Sequence, residues 1–71
     1  MITVERVITA VAEIKFLAER GDDDRAHNDE DSLYVDVLEA IASGRLSGPE
    51  AALLAGEAYK TGAIEFSRYT A

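Results

Sequence analysis

The chain has 71 residues, no Cys and a formal charge of −7. A chain this short sits near the lower limit for a self-supporting core, and without Cys it forms neither a disulfide nor a thiolate zinc site. The negative excess lies wholly in residues 1–44, because Arg45, Lys60 and Arg68 cancel Glu50, Glu57 and Glu65, and a surface of that sign disfavours nucleic acid.

The first element expected is a helix over about residues 3–20. Val4, Val7, Ile8, Val11, Ile14 and Ala18 recur at the spacing of one helical face. Thr3 is placed to cap it, Glu5 suits the dipole of its first turn, and Arg20 followed by Gly21 suits its end. Phe16 and Leu17 fall on opposite flanks of the stripe, which gives a wide apolar arc and suggests a homodimer through this helix. Lys15 falls inside the stripe. No apolar run approaches the roughly 20 residues of a membrane helix. The N-terminus also lacks the basic start and continuous apolar segment of a signal peptide, so the expected location is the cytoplasm, with no membrane partner.

Asp22, Asp23 and Asp24 read as a solvated connection, or as a docking surface for a basic partner. A second helix is expected over residues 25–43, capped by Asp24 or, if shorter, by Asn28, and ended by Gly44. On it His27, Glu30, Tyr34, Val37, Leu38 and Ile41 share a face, flanked by Leu33. Ser47 and Glu50 spell a capping box, with Pro49 in the first turn, and open a third helix over residues 48–61. Its face is Ala51, Leu54, Ala55 and Ala58, small enough for close approach of a neighbour. The tail, residues 63–70, carries Ile64, Phe66 and Tyr69, with Glu65 and Arg68 three apart. The expected architecture is all-α: a single small three-helix domain with a short C-terminal helical or turn tail packing back on the core.

One constellation bears on chemistry. If the second helix reaches back to residue 25, His27 and Glu30 point at the first helix, and Lys15 joins them in a polar cluster of Lys15, His27 and Glu30. Such a cluster fixes helix register through hydrogen bonds. The alternative is a cation site built from His27, Glu30 and Asp31, although one imidazole is few for a transition metal. No phosphate loop and no nucleophile with a matched base is present, so no catalytic residue and no cofactor is assigned. A helix–turn–helix regulator is a further alternative, but Glu50, Glu57 and Lys60 among alanines equip the third helix poorly for base edges.

The segment Ala26, His27, Glu30, Asp31, Leu33, then Asp36, Val37, Leu38, Ala40, Ile41, Ala42 and Gly44 resembles one found in small uncharacterised proteins of actinobacteriophages and their hosts. Those proteins show A-H-x-x-E-D-x-L followed by D-V-L-x-A-I-A-x-G. Glu65, Phe66, Arg68 and Tyr69 loosely resemble their tails. The resemblance covers residues 22–44 and implies a small accessory role in a phage setting. The expected function is an acidic protein–protein interaction module acting on itself and on a basic host protein. Asp22, Asp23, Asp24, Phe66 and Tyr69 are its candidate interface residues.

Overall fold

A computed structural model describes residues 1–68. It consists of three helices, α1 (Val4–Glu19), α2 (Asp23–Ala42) and α3 (Gly48–Tyr59), and a 3₁₀ turn over Lys60–Ala63 that continues α3. The described residues contain no strand, so the domain is all-α, with a tail that folds back on the core. No helix among the described residues is long and apolar enough to cross a membrane.

Local chemistry explains each boundary. Thr3 stands in extended backbone and its hydroxyl accepts from the Arg6 N–H, which opens α1. At the other end Gly21 has φ of +79°. Its N–H reaches the Ala18 carbonyl while the Asp22 N–H reaches that of Leu17, a Schellman closure that satisfies two orphan carbonyls. Gly44, with φ of +73°, turns the chain after α2. Ser47 and Glu50 form the reciprocal capping box that their spacing predicts, at 3.2 and 2.9 Å. The Ser47 backbone and side chain hold the Glu50 carboxyl below its usual range.

Two expectations are corrected at the start of α2. The helix begins at Asp23, not residue 25, and Asp22 precedes it without a side-chain cap. Asp23 and Asp24 are therefore not connecting chain. They occupy the first helical turn, where the unpaired N–H groups and the dipole stabilise anions. The link between α1 and α2 shrinks to residues 20–22.

The core consists of Val7, Ile14 and Leu17 from α1, Ala26, Leu33, Val37 and Ala40 from α2, and Leu54 and Ala58 from α3. α1 packs most extensively on α2, next on α3. The buried face of α2 differs from the expected one. Ala26, Glu30, Leu33, Val37 and Ala40 point inward, a rotation of roughly 70° at about 100° per residue. Leu38 is left 64% exposed and Ile41 lies at the edge. Ala26 and Ala40 are small enough for close approach of a neighbouring helix, while Leu33 and Val37 point inward and Val35 and Leu38 point outward. Leu17, expected on a flank, is buried, while Ile8 from the expected stripe is half-exposed. Ala55, expected on the α3 face, is exposed.

Candidate functional site

The expected cluster of Lys15, His27 and Glu30 does not form. Lys15 is exposed on the flank of α1 that faces α3 and lines a groove there with Ile8, Val11, Glu57 and Lys60. The reason is the rotation of α2, which carries Glu30 inward and His27 to the margin. His27 sets Nε2 3.5 Å from Asp31, one turn on. Its Nδ1 is buried with no hydrogen-bond partner among the described residues.

Glu30 finds its partner 38 positions away. Its two carboxylate oxygens accept from Arg68 Nε at 2.9 Å and from a terminal nitrogen of the same guanidinium at 3.1 Å. That nitrogen also donates to the carbonyls of Thr61, at 2.8 Å, and Ile64, at 3.1 Å. Thr61 is fully buried. Its hydroxyl pairs with the Tyr34 hydroxyl and favours the ionised form of Glu30. Burial alone would raise the Glu30 carboxyl, but the hydrogen bonds from Arg68 and Thr61 and the guanidinium charge outweigh it and hold the group below its usual value. The same pairing raises the pKa of Arg68, which stays charged.

This geometry weighs against the cation site sought at His27, Glu30 and Asp31. Glu30 commits both oxygens to Arg68, and Asp31 is exposed and points at His27. Among the described residues no group of three or more potential ligands could hold a metal ion. The candidate interface residues are also dispersed. Asp22 pairs with Arg25 at 3.7 Å. Phe66 is partly buried against the core and stacks on the Arg68 guanidinium at 3.9 Å. Tyr69 lies outside the described residues.

Arg68, Thr61 and Tyr34 were not expected at this site. A signal for them exists in the sequence. Glu30 lies on an apolar face with Ala26, His27, Leu33 and Tyr34 at the three- and four-residue spacings, so it has no local Lys or Arg. A carboxylate buried there needs a distant cation.

A second feature lies on the opposite flank of α2. An open groove of about 850 Å³ runs between α1 as far as Glu13 and α2 from Asp29 onward. Ile2, Ala10, Leu33 and Ala40 supply apolar surface, and Glu13, Asp29, Asp36 and Glu39 supply four carboxylates against Arg6 and Arg45. Among the described residues none of these four carboxylates forms an ion pair. Leu33 and Ala40 are buried, whereas Glu13, Asp36 and Glu39 stand exposed above them. A concave surface with an apolar floor and an unneutralised acidic rim suits an amphipathic cationic segment.

No protein-family model matches the chain, and no curated protein or solved structure shows significant similarity to it.

Proposed function

We propose that the protein is an interaction module that binds a basic protein segment along the groove between α1 and α2. The observation that carries this reading is the set of four carboxylates, Glu13, Asp29, Asp36 and Glu39, unpaired among the described residues around an apolar floor. Cationic side chains of a partner would pair with the rim while its apolar face covers Ile2, Ala10 and the edges of Leu33 and Ala40. The resemblance of residues 22–44 to actinobacteriophage proteins extends the proposal to a small phage-type accessory protein whose partner belongs to the host. The groove uses acids from both helices, so the acidic run Asp22, Asp23 and Asp24 serves mainly the helix start.

Titration with a Lys/Arg-rich amphipathic peptide tests this reading. Neutralising the groove (Glu13→Gln, Asp29→Asn, Asp36→Asn, Glu39→Gln) is expected to weaken binding about tenfold at low salt, since exposed pairs contribute about 0.2–1 kcal/mol each. The matched control neutralises Asp22, Asp23, Asp24 and Asp31, which changes net charge equally. Equal weakening by both sets would reduce the effect to bulk charge and refute the groove.

A further inference from the structure

Arg68 fills a pocket. The Glu30 side chain at its floor is 5% exposed, while the Arg68 side chain in its mouth is 36% exposed. The pocket walls are the Thr61 and Ile64 carbonyls, both within 3.1 Å of the guanidinium. Behind the floor lies the Tyr34–Thr61 hydroxyl pair, and Thr61 favours the ionised carboxylate. All these groups belong to α2 and to the chain up to residue 64, so the pocket is built without residues 65–68. The 3₁₀ turn closes with the Ile64 N–H bonded to the Thr61 carbonyl, and no regular secondary structure follows through residue 68. The strap of residues 65–68 packs Phe66 against the core and sets Arg68 in the pocket.

We infer that Glu30, Thr61 and Ile64 form an arginine-binding pocket, filled in the free protein by Arg68 and taken by an arginine of a partner when the strap lifts. The inference goes beyond the groove, since Glu30 and Tyr34 face α3 and the tail rather than α1. The ligand is a guanidinium because its planar fork spans both carboxylate oxygens and still offers a proton to the two carbonyls. A lysine ammonium is a compact point charge and does not reproduce that fork. An empty pocket would strand a buried carboxylate, so the strap stays down until another guanidinium replaces its own. Exchanging one guanidinium for another conserves the hydrogen bonds, which is what allows a partner to compete. Arg68 is then a ligand in cis, and its contact is autoinhibitory.

Thermal unfolding of wild type, Arg68→Ala and the double variant Arg68→Ala/Glu30→Gln tests the pocket. Each is measured with guanidinium, methylammonium or potassium chloride at about 50 mM, where the denaturing action of guanidinium is minor. Guanidinium is expected to raise the Tm of Arg68→Ala by a few degrees over potassium, and to leave the other two chains unmoved. If Arg68→Ala gains no more than the double variant, the pocket does not bind guanidinium and the inference fails. Should Arg68→Ala not fold, Arg68→Met replaces it, keeping the length of the side chain without a cation, with the same expected gain. In a second arm, an amidated peptide of residues 64–68 is expected to bind the Arg68 variant about tenfold more tightly than wild type. Equal affinity for both would overturn occupancy in cis. Neutralising the groove carboxylates leaves both responses intact, so the two proposals stand or fall separately.

Discussion

Replacing Arg68 with Ala removes four hydrogen bonds and strands a buried carboxylate. Breaking a fully buried pair costs about 3–5 kcal/mol. The Arg68 side chain is 36% exposed, so water screens part of that loss and reaches Glu30 in the variant, leaving about 2 kcal/mol. At about 4–8 °C per kcal/mol for a domain of this size, Tm falls by roughly 8–16 °C. The pH dependence has a defined sign. The folded Glu30 pKa lies below its ordinary value of 4.5. The pair therefore contributes stability that is fully present above the unfolded pKa and lost as pH falls through the folded one. Without Arg68 the buried carboxyl protonates readily in acid, which relieves the variant. The gap between wild type and variant is thus widest near neutral pH and narrows below about 4.5. Melts followed by circular dichroism across this range, with Glu30→Gln completing a double-mutant cycle, measure it directly. A Tm loss under about 2 °C at neutral pH, or a gap that widens on acidification, would refute the reasoning.

Other perturbations test the frame around the pocket. Ser47→Ala removes the hydroxyl that accepts from the Glu50 N–H. It is expected to cost about 1 kcal/mol in urea unfolding, with an unchanged denaturant slope. Ile14→Ala, at a fully buried position, is expected to lose about 2–5 kcal/mol in the same assay. Leu38→Ala, at a position 64% exposed, is expected to stay within about 0.5 kcal/mol of wild type; a large loss there would show that this face is covered. Tyr34→Phe removes the hydroxyl that pairs with Thr61 and is expected to cost about 1 kcal/mol. An unchanged urea midpoint would show that the hydroxyl chain behind Glu30 adds nothing.

The helices were legible because their signals act over three or four residues. The Thr3 cap, the Gly21 closure and the Ser47–Glu50 box each satisfy orphan backbone groups with partners a turn away. No tertiary knowledge is needed to read them. The period of α1 likewise announced a helix, and Val7 and Ile14 on its stripe are fully buried. Orientation was another matter. On α2 the faces through Leu33 and through Leu38 are both apolar, and periodicity does not choose between neighbouring faces. Close packing against α1 chose the one lined by Ala26 and Ala40. That rotation separated Lys15 from Glu30. The partner of Glu30 was beyond any local rule, since Arg68 comes within 2.9 Å only after α3 and its 3₁₀ turn carry the chain back across α2. The sequence by itself determined that three helices form, which signals open α1 and α3 and close α1, and that Glu30 has no Lys or Arg three or four residues away. The tertiary structure alone decided which face is core, which carboxylates share a groove, and which arginine fills the pocket, because those follow from packing between segments far apart in the chain.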